Sequence, residues 1–309
     1  VTGARGDAWP EAPIEGWLET CATLQMWTQI VGKIRMARAP FVNHWWHVPL
    51  YLTARGLTTS PMPDGNRTFQ IDCDLRDHRL VIATSDGSLE QMPLRSRPLP
   101  EFYADLLGRL GALGIEVEIW PVPVEVAEAI PFTTDRGHSI YDPAIAERLH
   151  DILVLADMAL TEFRGGFLGK SSPVHFFWGG FDLAVTRFSG RKAPPHPGGI
   201  PNVGNWVMRE AYSHEVSSCG FWPGTAGSFE RPAFYAYAYP EPEGFSAAPV
   251  RPAQAYCSAA LKEFLLPYDE LRMSADPGPL VQEFLQSTYE AAADLGGWDR
   301  RNLERRASA

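Results

Sequence analysis

A chain of 309 residues has room for one large domain or two of about 150 residues, and its 45% apolar and 21% charged residues fit a folded protein with a sizeable core. A formal charge of −10 argues against nucleic acid as a partner, because phosphate contacts need clustered Lys and Arg. No apolar run reaches the roughly 18 residues of a membrane span, and the opening stretch with Asp7, Glu11 and Glu15 holds no secretory apolar segment, so a cytoplasmic protein is expected.

Leu18, Cys21, Leu24, Trp27, Ile30 and Ile34 recur at helical spacing and predict a helix over 17–34. Residues 43–53 are rich in aromatic and branched side chains and read as a strand ending before Arg55-Gly56. Residues 68–74 alternate, with Phe69, Ile71 and Cys73 on one face and Gln70, Asp72 and Asp74 on the other. Residues 80–84 follow Arg76-Asp77-His78 as the second arm of a hairpin, and Asp86-Gly87 turns into a further strand through Leu94. An amphipathic helix is predicted over 101–114. Residues 115–124 alternate again, Ile115, Val117 and Ile119 against Glu116 and Glu118. Pro121, Pro123, Pro131 and Pro143 mark a connection placed at 125–144. A second long helix covers 145–168 through Leu149, Ile152, Leu155, Leu160 and Phe167. Strands are predicted at 174–188, 211–221, 233–239 and 263–266, with Pro/Gly-rich loops at 193–204 and 222–227 and a closing helix at 283–296. Arg300, Arg301, Arg305 and Arg306 read as a solvated terminal face.

The order of these elements repeats. At a shift of 133 positions Pro40 meets Pro173, Trp45 meets Trp178, Leu50 meets Leu183 and Thr53 meets Thr186. Gly32-Lys33 finds its counterpart in Gly169-Lys170, and Met92-Pro93 in Leu266-Pro267. The expected architecture is therefore α+β: one domain over 1–309 built by duplication of a helix–antiparallel strands–helix unit, with copies at about 17–124 and 145–298 and helices packed on the sheets.

The segments NHWWHVPLYLTARGLTTSP (43–61), SPVHFFWGGFDLAVTRFSGR (172–191), REAYSHEVSSCGFWPG (209–224) and AFYAYAYPEP (233–242) resemble the signature segments of an uncharacterised bacterial family of about 300 residues, a domain of unknown function. The resemblance runs from Trp9 to Trp298 and implies no activity, cofactor or catalytic residue.

Chemistry must come from the residues themselves. Cys21, Cys73, Cys219 and Cys257 lack CxxC spacing, which excludes a thiolate zinc knuckle and fits reduced thiols. His44 and His47 stand three apart on a predicted strand, which would aim them to opposite faces unless a bulge intervenes. His175 shares their strand-rich surroundings, and His214-Glu215 adds an imidazole and a carboxylate. His44, His47, His175 and His214 are the candidate ligands, and three of these imidazoles with one carboxylate would suit a divalent zinc, iron or manganese ion; the plainer reading is imidazoles bonded to carbonyls or stacked on tryptophan. His214 and Glu215 are the candidate acid–base pair. Trp45, Trp178, Asp182 and Arg187 would wall the pocket, with an internal Asp182–Arg187 ion pair as the alternative use of those charges. His78, His138 and His150 read as structural, and Tyr235, Tyr237 and Tyr239 as a ladder on one sheet face. Two functions follow as expectations: a small-molecule enzyme with a histidine-rich, metal-competent site in an aromatic pocket, or a non-catalytic binder of an apolar or aromatic small molecule.

Overall fold

The structure, a computed structural model, describes residues 9–305; Asp7 and Arg306 lie outside the described residues. The first predicted helix forms as α1 (Trp17–Arg38). It is not the one-sided helix its apolar spacing implies. Thr20, Gln25, Thr28, Gln29 and Lys33 are buried along with Trp27, Ile30 and Ile34, so α1 runs through the interior. Its buried amides reach backbone rather than water: Gln25 donates to the Gly179 carbonyl at 2.6 Å, and Gln29 both donates to and accepts from Val124 at 2.8 Å.

After α1 come β1 (Tyr51–Thr53), β2 (Gly56–Thr58), β3 (Met62–Asp64), β4 (Arg67–Asp74), β5 (Arg79–Thr84) and β6 (Leu89–Pro93). They form an antiparallel sheet in the order β1-β2-β4-β5-β6, with β3 also on β4. The predicted hairpin turns at His78 and Gly87 hold, at φ +48° and +94°. Helix α2 (Leu99–Ala112) closes the first half, its Phe102 ring stacked 4.7 Å from that of Trp27 on α1.

Residues 115–124, expected as a strand, have no ladder partner and are irregular. Pro121 and Pro123 remove the donors a ladder would need. The alternation still serves burial, since Ile115 and Ile119 enter the core.

The second half opens with α3 (Pro143–Gly165), capped by Asp142, which accepts from Ala144 N–H at 2.8 Å. Then follow β7 (His175–Phe177), β8 (Asp182–Lys192), α4 (Asn205–Ala211), β9 (His214–Trp222), β10 (Ala233–Tyr239), β11 (Tyr256–Ser258) and β12 (Glu263–Pro267). The expected single strand over 174–188 is a hairpin, because Gly179-Gly180 and the left-handed Phe181 (φ +59°) turn the chain. The expected strand at 211 starts only at His214, the preceding residues forming α4. These strands make an antiparallel sheet in the order β11-β12-β10-β9-β8-β7. Helices α5 (Tyr268–Arg272), α6 (Pro277–Leu295) and α7 (Arg300–Leu303) end the chain.

The fold class is thus α+β with two antiparallel sheets; the second half interrupts its strands with α4, which has no counterpart in the first. At the 133-residue shift the elements differ locally: Trp45 ends a 3-10 turn (Asn43–Trp45) and Trp178 follows strand β7. The sheets meet at one reciprocal bridge, Leu50 N–H to Phe176 O and Phe176 N–H to Leu50 O, both 2.9 Å. No helix among the described residues is long and apolar enough to cross a membrane.

Strand register divides the second sheet into two faces. Leu183, Val185 and Arg187 on β8, Cys219 and Phe221 on β9, and Phe234 and Ala236 on β10 share the face covered by α3 and α6. The opposite face carries His175, Phe177, Asp182, Thr186, Phe188, His214, Ser218, Tyr235, Tyr237, Tyr239 and Glu263. That face is the polar one.

Candidate functional site

The segment expected as a strand at 43–53 is folded by tertiary contacts. His44 and Trp45 adopt left-handed backbone, φ +58° and +62°, which costs free energy in residues with a Cβ. The cost is met by partners on α4: Glu210 accepts from His44 N–H at 3.0 Å, and Trp45 Nε1 donates to Val207 O at 3.1 Å.

His44 is fully engaged. Lys170 Nζ lies 2.7 Å from its Nε2. An ammonium only donates, so Nε2 holds the lone pair and Nδ1 carries the proton, given to Ala211 O at 3.2 Å. Burial, then the Lys170 charge, lowers the His44 pKa. His214 stands beside it, ring centroids 5.6 Å apart, with Nδ1 3.2 Å from Ser213 Oγ. His47 lies elsewhere, its Nδ1 accepting from Val42 N–H at 3.2 Å and its ring against Phe41 and Trp45. His175 is screened from His44 by the Trp46 ring, 5.4 Å from the His44 ring and 5.7 Å from that of His175. The four histidines expected to share an ion therefore do not converge. No three His, Cys, Asp or Glu side chains among the described residues are grouped to hold a metal.

Three other expectations are corrected by strand parity. Glu215 points to the helix-covered side of β9, where it accepts from Ser189 Oγ and Arg191 Nε at 2.8 Å, so it cannot share a substrate with His214. Asp182 and Arg187 lie on opposite faces of β8 and form no pair. Arg187 is buried with its guanidinium carbon 3.4 Å from the Phe163 ring centroid and 4.4 Å from that of Tyr289, and it donates to Phe163 O. Trp45 and Trp178 wall no common pocket: Trp45 packs against Trp206 of α4, whereas Trp178 lies against Gly32 of α1 and donates to Val48 O at 2.9 Å. His78, His138 and His150 bond Tyr141 and Glu147, Asp135, and Thr53 O respectively. The four cysteines are unbridged.

The polar face of the second sheet brings together groups that no sequence motif linked. Asp182 on β8 accepts from the Tyr235 hydroxyl on β10. Tyr237 and Tyr212 share a hydroxyl hydrogen bond of 2.7 Å. Thr186 and Ser218 do the same at 2.9 Å, and the His196 ring stacks on Tyr212 with centroids 4.8 Å apart. Glu263 on β12 stands on the same face in register with Tyr237. Glu125 arrives from the irregular segment, its backbone left-handed (φ +61°) and its N–H bonded to Pro201 O at 2.9 Å.

Glycines hollow the rim. A Cβ at Gly179 would fall 2.1 Å from Glu125 Oε1, and one at Gly180 would fall 2.7 Å from Asp182 Oδ1 and 3.7 Å from Glu125 Oε2. One glycine pair therefore makes room for both carboxyls. Glu125 is exposed as a residue, but its carboxyl lies against the backbone of Gly179 and Gly180, away from open solvent, while Asp182, Tyr212, Tyr237 and Glu263 are half-buried.

Its electrostatics are uncompensated. Among the described residues Glu125, Asp182 and Glu263 form no ion pair with Lys, Arg or His. Burial, then repulsion from Asp182, pushes Glu125 and Glu263 up to about 7. Burial pushes Asp182 up to about 6 against the opposing Tyr235 hydrogen bond. Burial likewise drives Tyr235 and Tyr237 well above the ordinary phenol range. Glu125 and Glu263 each feel the Asp182 charge, so the ionisation of Asp182 sets how readily either gives up its proton.

Asp182 and the tyrosine ladder were visible in the sequence; Glu125, Glu263 and Tyr212 were not. The usable signal was Gly179-Gly180 directly before Asp182, a place where backbone must approach something closely.

An α+β fold of two antiparallel sheets, the second carrying carboxyls and tyrosines together on its polar face, is the class this chain defines. It belongs to the family of unknown function DUF5996, whose model matches residues 9–305. No curated protein and no solved structure matches the chain.

Proposed function

We propose that the chain acts on or binds a small molecule at the Glu125–Asp182–Glu263 cluster, and that this molecule is an organic cation. The observation that carries the reading is that Asp182 and Glu263 share a tyrosine-bearing sheet face, with the Glu125 and Asp182 carboxyls both against Gly180, and none of the three has a cationic partner among the described residues. Like charges held together raise the free energy of the empty site, and a bound ammonium or guanidinium relieves it. Tyrosine faces add attraction for the same charge. A second reading, acid–base catalysis on the bound molecule, is supported by Asp182 and Glu125, whose proton affinities lie near neutrality.

The test is a thermal-shift series with spermidine, choline and arginine against glucose and citrate. Cationic compounds are expected to raise the melting temperature above pH 7, and the gain to fade as pH falls through 7 to 6, because protonated carboxyls no longer attract them. Asp182→Asn is expected to remove most of the gain. Equal responses to glucose, or an undiminished response in Asp182→Asn, would reject the reading.

The empty protein offers a second check. The Asp182 pKa rises from 3.8 to about 6 on folding, so the folded state holds its proton more tightly, and stability falls as pH climbs through that interval. Asp182→Asn without ligand is therefore expected to melt no lower than the parent at pH 7.5, apart from the loss of one hydrogen bond from Tyr235.

A further inference from the structure

Arg35 on α1 is 8% exposed, yet it forms no ion pair among the described residues, and its Nε is shut in without an acceptor. What it meets is Tyr51, whose ring centroid lies 5.6 Å from the guanidinium carbon. Against that same ring, at 5.6 Å, stands His175. His175 is 0% exposed and neither ring nitrogen has a hydrogen-bond partner. Trp46 and Phe177 complete its enclosure, at 5.7 and 5.3 Å. Burying an imidazole and a guanidinium with no protein acceptor for their donors is costly, because buried polar groups are stable only when hydrogen-bonded.

The surroundings select the sign of what would fill them. The Arg35 charge acts on both His47 and His175, and Arg164 from α3 adds to it at His175. Among the described residues no carboxylate pairs with Arg35, His47 or His175, and the hydroxyl-bearing Tyr51 is the one group that favours the Arg35 charge. In a chain of net charge −10 this is a buried cluster of positive charge without a counter-ion. A cation would be repelled there. Water would satisfy one His175 nitrogen but leave the charge of Arg35 uncompensated. An oxyanion answers both: its oxygens accept from the planar guanidinium fork and from the protonated imidazole nitrogen together.

We propose that Arg35 and His175, with Tyr51 between them, form a binding site for a small oxyanion, a phosphate or carboxylate group. It is separate from the acidic cluster. His175 pairs with Ala184 across β7 and β8, and Phe177 pairs with Asp182, so the Phe177 ring stands between the two sites on one sheet face.

The probes are sodium phosphate and sodium acetate, titrated at constant ionic strength with chloride as the balancing salt. Calorimetry and melting curves of the full chain read the binding. Phosphate or acetate is expected to saturate at one site per chain and to raise the melting temperature; whichever does so names the source. Arg35→Met is expected to weaken that binding at least tenfold. His175→Gln, which keeps one donor, is expected to weaken it less than His175→Phe does. If His175→Phe does not fold, Arg35→Met alone decides. Lys262→Gln, exposed on the turn between β11 and β12, is expected to leave the affinity unchanged. Absence of saturable binding of either anion to the parent protein, or Arg35→Met with parental affinity, would overturn the assignment.

Discussion

Gly32→Ala is expected to cost the chain roughly 3 kcal/mol, although alanine is by itself the better helix former by about 1 kcal/mol. Gly32 sits inside α1, and a Cβ there would fall 2.2 Å from Trp178 Cδ1 and Nε1. That indole is 6% exposed and tied to Val48 O, so it has nowhere to retreat without breaking its hydrogen bond and opening the core. Gly108 on α2 supplies the contrast, for a Cβ there meets nothing within 4 Å. Gly108→Ala is expected to stabilise by up to about 1 kcal/mol. Urea denaturation of the two variants separates packing from propensity; a midpoint for Gly32→Ala at or above that of the parent would refute the close approach.

The adjacent residue carries the opposite expectation. Lys33 is 1% exposed, forms no ion pair among the described residues, and has its ammonium 4.9 Å from the Trp120 ring centroid and 5.9 Å from that of Trp178. Burial lowers its pKa from 10.5 to about 8. The unfolded chain therefore holds this proton more tightly, and the penalty, on the order of 3 kcal/mol, is fully present at pH 7. It is released as pH rises from about 8 toward 10.5. The tryptophan faces return part of it, about 1 kcal/mol. Lys33→Met, which keeps the length and drops the charge, is expected to be more stable by roughly 2 kcal/mol at pH 7. The margin over the parent is expected to shrink with rising pH. Paired urea curves at pH 7 and pH 9.5 measure it; a margin that stays constant or grows would show that the ammonium is not what costs stability.

How much was legible follows from what each residue depends on. Helices α1, α2 and α3 announce themselves through apolar spacing, because that pattern is local. Strand β4 does so through the alternation of Phe69, Ile71 and Cys73. The stretch around His44 is not local: its left-handed turn exists because Glu210 and Val207, far along the chain, hold it. Its aromatic content imitates a strand. The polarity of α1 misleads in the other direction, since Gln25, Gln29 and Lys33 look solvent-facing until the loops at 120–125 and 178–180 are laid over them. At the site, the sequence points to Asp182 but not to its companions. Asp182 and Glu263 come to one face only through the register of β8, β9, β10 and β12, a property of pairing that one chain read alone does not display, and Glu125 joins them from an irregular segment with no local pattern to announce it. The histidines failed as a set for the same reason: a single ring, Trp46, stands between two of them.

The reciprocal bridge between Leu50 and Phe176, together with the Trp178 indole lodged on Gly32, means that neither half owns a finished interior. A protease cut in the exposed stretch at 127–130 would leave two pieces, each holding a complete sheet and half of a shared seam. Mixed after separation, those pieces should recombine without a covalent link, each acting as the template on which the other sets.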